Sequence, residues 1–137
     1  MKFSVNQQDL QKSLSYCQGV IEKRSTLPIL SNVLLDAANS KLKIIATDLD
    51  LIFVNEIPNI KIFEEGKTTT SSSIMFDVVR KIPSGSQINF LNSGESKLQL
   101  ESNKSLFNLN SIDASEFPIT DEDFNENEFN INSKDLL

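Results

Sequence analysis

The residues able to do chemistry are few and thinly spread. Asp48 and Asp50 follow an apolar run in IIATDLDL. Two carboxylates at the end of a strand can hold Mg²⁺, and one of them can attack a phosphoryl group. The same pair also suits a polar turn joining two strands. Gly66-Lys67-Thr68 has the ending of a phosphate-binding loop, but position 61, where that motif requires Gly, is Lys. Glu64 and Glu65 alongside would repel phosphate, so the segment reads as a turn into a strand. The single cysteine, Cys17, falls on an apolar helical stripe and reads as core. The chain contains no histidine. That removes imidazole acid–base catalysis, the serine and cysteine triads and nearly every zinc site. The expectation is a protein that binds or assembles, without metal or cofactor. The enzymatic alternative is a Mg²⁺-dependent phosphatase using Asp48 and Asp50.

Composition sets the wider limits. A length of 137 residues allows one domain of ordinary size with a short remnant beyond it. With 39% hydrophobic and 23% charged residues, the chain is globular in composition. No apolar run approaches the ~20 residues that cross a bilayer. The opening MKFSVNQQDL has no apolar segment behind its lysine, so it does not read as a signal peptide. A lone cysteine fits a reducing, cytoplasmic compartment. The net charge of −6 is unevenly spread. Residues 1–112 hold twelve basic and eleven acidic side chains, whereas residues 113–128 hold seven acidic ones and no basic one. The acidity therefore belongs to a connecting stretch, read as a solvated linker. A local basic surface elsewhere remains compatible with it.

The elements that would position these residues come in a repeated order. Residues 2–5 read as a strand, and Asn6 as the cap of a helix over about 7–20. Leu10, Leu14, Cys17 and Ile21 share one face of that helix; Gln7, Gln8, Gln11, Lys12, Ser15 and Gln18 make the other. Strands are expected at 31–37, 41–47 and 49–57, the last alternating through Leu49, Leu51 and Phe53. Lys67–Thr70 is β-prone, and Ser71–Ser73 offers caps for a second helix that ends before Pro83. Strands then follow at about 86–92, 96–101 and 105–110. The order is strand, helix, three strands, twice. Its economical packing is an α+β arrangement of antiparallel sheets with two helices on one side. A third copy starts in the tail. EFNINSKDL at 128–136 matches KFSVNQQDL at 2–10, pairing Phe3 with Phe129, Asn6 with Asn132 and Leu10 with Leu136. The reading is that a second, similar domain begins near residue 125; chance resemblance in a short strand-and-cap pattern is the alternative.

One family brings these segments together. RSTLPIL at Arg24–Leu30, then SNVLLDA, IIATDLDL and DASEFP, stand in the order and spacing of bacterial sliding clamps, the β subunits of DNA polymerase III. MKFSV and TTTSSSIMFDVVRKIPSG are similar to the same family, so the resemblance covers nearly the whole chain. By contrast, Asp48 and Asp50 resemble a phosphatase of haloacid dehalogenase type without the further Ser/Thr, Lys and Asp motifs of that family. The clamp resemblance implies a DNA-clamp (processivity) fold. It also implies three parts: residues 1–120 as a clamp N-terminal domain, 121–127 as an acidic linker and 128–137 as the truncated start of a second domain.

The resemblance further implies a function. Two head-to-tail subunits would close a ring around double-stranded DNA, helices inward, and tether the replicative polymerase. Polymerase and clamp loader would bind domains absent from this chain, and no membrane would be involved. In the family the Arg before TLPIL contacts DNA, which corresponds to Arg24. Lys23, Lys12, Arg80 and Lys81 are expected to add positive potential. A ring that slides should grip no phosphate tightly, because each tight contact adds salt-dependent affinity. The second helix and a neighbouring edge strand would meet the other subunit through Ile74, Val78, Lys104, Phe107 and Leu109. The family carries basic residues where this chain has Ile74 and Leu106, which implies a more apolar contact.

Overall fold

The computed structural model describes residues 1–18, 28–48, 51–92 and 96–118. Strand β1 (Lys2–Asn6) runs straight into helix α1 (Gln7–Gln18). Asn6 makes the transition, because its Oδ1 accepts from the backbone N–H of Gln8 at 2.9 Å and of Asp9 at 3.4 Å. Leu10, Leu14 and Cys17 are fully buried, as their spacing requires. Ile21 lies outside the described residues. A 3-10 turn (Pro28–Ser31) leads to β2 (Asn32–Ala38), β3 (Lys41–Thr47) and β4 (Ile52–Ile57). Asn39 and Ser40 join β2 to β3 with φ values of 54° and 61°, the left-handed pair of a tight hairpin.

Next come β5 (Lys61–Glu64), β6 (Gly66–Ser71) and α2 (Ser72–Lys81). The Ser71 hydroxyl caps α2 by accepting from Ile74 N–H at 3.3 Å, and Pro83 follows its end. Strands β7 (Gln87–Asn92), β8 (Lys97–Ser102) and β9 (Ser105–Ile112) complete the second repeat, followed by a 3-10 turn at Ala114–Glu116.

All strand pairs are antiparallel, in the order β4-β3-β2-β6-β9-β8-β7-β1-β5. The two expected sheets therefore hydrogen-bond into one nine-stranded surface. Their junction is narrow: β6 and β9 pair only at Thr69 with Ile112 and Thr70 with Ser111. Threonine hydroxyls reinforce it. Thr69 donates to the carbonyl of Ile112 and Thr70 to that of Asn110, each at 2.8 Å. The Thr68–Thr70 run is thus buried polar chemistry with its partners supplied.

Both helices cover the same face. Leu10 and Leu14 from α1 and Met75 and Val79 from α2 pack with Phe3, Leu35, Ile44, Phe90, Leu98 and Leu100 in one core. The Phe3 and Phe90 rings stack at 4.7 Å. The opposite face of β2–β4 carries a second, smaller cluster of Leu34, Ile45, Val54 and Phe117. Phe117 reaches it because the 3-10 turn ahead of it is capped by Asp113, whose Oδ1 accepts from Ser115 N–H at 2.9 Å. DASEFP is therefore a cap followed by an anchor.

Three expectations need correction. The strand placed at 49–57 starts at Ile52, since the Leu51 N–H ahead of it is held by Asp48 Oδ1 at 2.7 Å and Leu51 is 51% exposed; Leu49 lies outside the described residues. Strand β5 follows soon after it and carries no strong alternation that would have announced it. Gln7 is not on the polar face of α1 but is buried. Its Nε2 donates to the Val79 carbonyl at 2.8 Å and to Gln11 Oε1 at 2.9 Å, tying α1 to the end of α2.

Candidate nucleic-acid and subunit interface

The outward faces of α1 and α2 lie side by side, because both helices bury their opposite faces in one core. On α1 the exposed residues are Gln8, Asp9, Lys12, Ser15 and Tyr16. On α2 they are Ser73, Ile74, Asp77, Arg80 and Lys81. Three expected cations, Lys12, Arg80 and Lys81, thus share one solvent-facing layer. Arg80 Nη2 lies 3.2 Å from Asp77 Oδ1, so part of its charge is already met. Asp9 and Asp77 offset two of the three charges, and the remainder of this layer is amide, hydroxyl and aromatic apart from the aliphatic Ile74. Such a surface attracts a polyanion weakly and offers several donors for water-bridged contact. Lys23 and Arg24 lie outside the described residues. Tyr16 was not singled out from the sequence, although its position four residues after Lys12 puts the two on the same helical face.

The expected subunit contact gathers at the sheet junction. Strand β9 pairs with β8 along its length, but with β6 only at Ser111 and Ile112. Among the described residues, no strand pairs with the other edge of residues 105–109, and at Asn110 the carbonyl accepts from the Thr70 hydroxyl. Beside that edge a cleft of about 280 Å³ opens between β9 and the start of α2. Ile74 borders it and is 55% exposed. Leu109 contributes to its lining but is itself buried. Phe107 and Val78 are half-buried against the main core, and Lys104 is exposed at the β8–β9 turn. Leu106, on the opposite face of β9 from Phe107, is 53% exposed. The apolar pair Ile74 and Val78 therefore splits into one exposed and one half-buried residue.

Of the carboxylate pair, one member falls among the described residues. Asp48 lies ahead of β4, its Oδ1 accepting from Leu51 N–H at 2.7 Å. Asp50 lies outside the described residues. No group of three or more potential ligands able to hold a metal occurs among the described residues. Cys17 is buried, and burial pushes its thiol up to about 12, so it is a core residue rather than a nucleophile. Of the charged groups in the fold, Glu64 is held low by its hydrogen bond to the Met1 ammonium at 2.9 Å. Among the described residues, no helix is long and apolar enough to cross a membrane.

Residues 1–121 match the family model of the DNA polymerase III beta subunit, N-terminal domain. The chain belongs to that family. It is 33% identical to the beta sliding clamp of Caulobacter vibrioides over 138 residues, covering 100% of this chain and 37% of the relative. Identity to the Escherichia coli K12 beta sliding clamp is 36% over 131 residues, covering 96% of this chain and 36% of that one. The crystal structure of the Caulobacter crescentus DNA polymerase sliding clamp superposes with a TM-score of 0.81 at 36% identity, over 88% of this chain and 32% of that chain. The DNA polymerase III subunit beta of Pseudomonas aeruginosa gives a TM-score of 0.81 at 30% identity, over 88% of this chain and 32% of that chain. The chain thus spans about a third of the length of these relatives. The clamp fold replaces the phosphatase alternative, which calls for a parallel α/β sheet that this antiparallel one is not.

Proposed function

We propose that this chain is part of a ring-shaped processivity factor that encircles double-stranded DNA and tethers a replicative polymerase without catalysis of its own. The observation that carries the reading is the shared outward face of α1 and α2, on a fold matching sliding clamps. That face offers Lys12, Arg80 and Lys81 to DNA backbone, with Lys23 and Arg24 added by resemblance. Among the described residues it carries no element shaped to enter a groove and read bases, so contact would be sequence-independent. Affinity then comes from topology: a closed ring leaves only over an end.

Closure requires a second subunit, in a head-to-tail homodimer. The unpaired edge of β9 is suited to extending its sheet between subunits, with Ile74, Val78, Lys104, Phe107 and Leu109 around the contact. Polymerase and loader would bind parts of the full-length protein outside this chain. We further read residues 1–120 as the first clamp domain, 121–127 as a linker and 128–137 as the start of a second domain.

The test uses full-length protein loaded on nicked circular plasmid. Retention through gel filtration, followed by loss when the plasmid is cut once, is the expected result. Equal retention on circular and linear DNA, or tight binding to one short duplex sequence, refutes encirclement.

A further inference from the structure

Gln7 is a buried amide whose orientation the chemistry of its partners decides. It opens α1 and is 2% exposed. A backbone carbonyl only accepts, so the Gln7 atom 2.8 Å from the Val79 carbonyl is the nitrogen. That nitrogen also lies 2.9 Å from the Gln11 amide, so the Gln11 atom it meets is the oxygen. The Gln11 amide is thereby set in one sense. Its oxygen is engaged on the inner side, and its Nε2 keeps two N–H groups with no acceptor among the described residues. Gln11 is half-buried on the flank of α1 that meets α2, where Gln8, Gln11, Ser15 and Gln18 make an uncharged row at helical spacing. The arrangement costs stability, because Gln7 Oε1 is buried without a partner. Methionine would fill similar volume with no orphaned oxygen, and the Val79 carbonyl would still accept from Ile82 N–H at 3.1 Å. What methionine could not do is hold Gln11 with its nitrogen outward.

We propose that Gln11 is a DNA-backbone contact, an uncharged donor presented to phosphate oxygens, and that Gln7 is the positioning residue behind it. The proposal rests on the ring reading above and adds a contact to which no charge points. A phosphodiester oxygen only accepts, so an amide held nitrogen-outward fits it. An amide free to flip would spend part of its time with the oxygen forward. Gln11 brings no charge, so its contact releases no counterion and adds affinity that salt does not weaken. In this it differs from Lys12, Arg80 and Lys81, whose contribution falls as salt rises. A donor of this kind suits a surface that must hold DNA loosely, because each such bond has a modest net worth.

The experiment follows full-length protein binding a linear duplex by fluorescence anisotropy from about 50 to 200 mM salt. Gln11→Met should weaken binding about three- to tenfold at every salt concentration, so that log affinity against log salt runs parallel to wild type. Loss of a cationic contact would lower the slope instead. Gln7→Met should give a smaller parallel loss of about twofold, since a freely turning Gln11 amide spends half its time with nitrogen outward. Its melting temperature should stay near wild type, because the orphaned oxygen goes with the hydrogen bonds. In the double variant the loss should equal that of Gln11→Met alone, as nothing is left to position. A double variant whose losses add shows a merely structural Gln7 and overturns the positioning role. The contact is overturned if Gln11→Met binds within about twofold of wild type. It is equally overturned if the slope falls by about 0.9 or more, or if wild type shows no binding at about 50 mM salt. Wild-type retention on nicked circular plasmid decides the ring reading separately. Retention together with unweakened Gln11→Met refutes the contact alone, whereas parallel loss without retention refutes the ring and leaves the contact standing.

Discussion

Replacing Lys12 and Lys81 by glutamine in the full-length protein separates threading from gripping. Glutamine keeps an unbranched aliphatic stem and the helix propensity of lysine, so α1 and α2 should fold unchanged. Both side chains are exposed and neither is drawn into an ion pair within the described residues. Arg80 is left in place because Asp77, 3.2 Å away, already meets part of its charge. The helical layer carries three cations and two anions, so removing two cations reverses its sign. Each lost phosphate contact lowers the slope of log affinity against log salt by about 0.9. Two contacts per chain in a dimer set a ceiling of about 3.6 on that decrease. Between 50 and 200 mM salt, each contact corresponds to roughly a 3.5-fold difference in affinity. A salt series on linear duplex should show the variant weaker at low salt and converging with wild type at high salt. Retention on nicked circular plasmid should be unchanged, because the ring still closes. If the variant remains dimeric but falls off circular DNA, individual phosphate contacts hold the protein in place and the threading argument is wrong.

Three further outcomes follow from the packing and the titrating groups. Phe117→Ala should lower the stability of the 1–137 chain by about 3 kcal/mol in urea denaturation, the low end for a buried Phe because its cluster is peripheral and can partly collapse; a loss below about 1 kcal/mol would mean that the outer cluster does not anchor the segment. Cys17 has its pKa raised from 9.0 to about 12 by burial. Its contribution to stability is therefore intact below pH 9.0 and declines as pH rises toward 12, so iodoacetamide labelling at mildly alkaline pH should track unfolding rather than direct attack. Glu64 has its pKa lowered from 4.5 by the Met1 ammonium, so the pair contributes above pH 4.5 and is lost as pH falls through the lower folded value. Glu64→Gln should flatten that acid limb in pH-dependent melting, and an unchanged limb would show that the pair is not coupled to folding.

Local signals made much of this fold legible. The i, i+4, i+7 spacing of Leu10, Leu14 and Cys17 placed α1, and Asn6, Ser71 and Pro83 marked helix ends that the structure retains. The Asn39-Ser40 turn was equally plain, since Asn tolerates the left-handed conformation it adopts. Non-local features were harder to read. Gln7 looks like one more polar helix residue, and only the approach of Val79 makes it a buried link. Leu51 alternates correctly with Phe53, yet its N–H is taken by the Asp48 carboxylate before the strand begins. The one available sign of the outer cluster was the unbroken Val33-Leu34-Leu35 run, which buries both faces where simple alternation buries one. At the site, spacing could place Lys12, Arg80 and Lys81 on helix surfaces. It could not pair Arg80 with Asp77 in advance of a rotamer.

The poverty of chemical clusters among the described residues and the open strand edge have a common physical explanation. An enzyme concentrates perturbed groups in a cleft, whereas this domain keeps its helix surface only weakly positive. Natural sheets usually protect an open edge with charge, proline or a covering segment. Along residues 105–110 the chain has none of these on the strand itself, and it places Leu106 there instead. Keeping such an edge is costly in a free monomer, since it invites indiscriminate pairing. The cost is offset if the edge spends most of its time paired with a second copy. On the proposed ring reading, a weakly attracting helical face and an edge open to a second copy meet one requirement: a surface facing DNA lets go easily, and a joint between subunits does not.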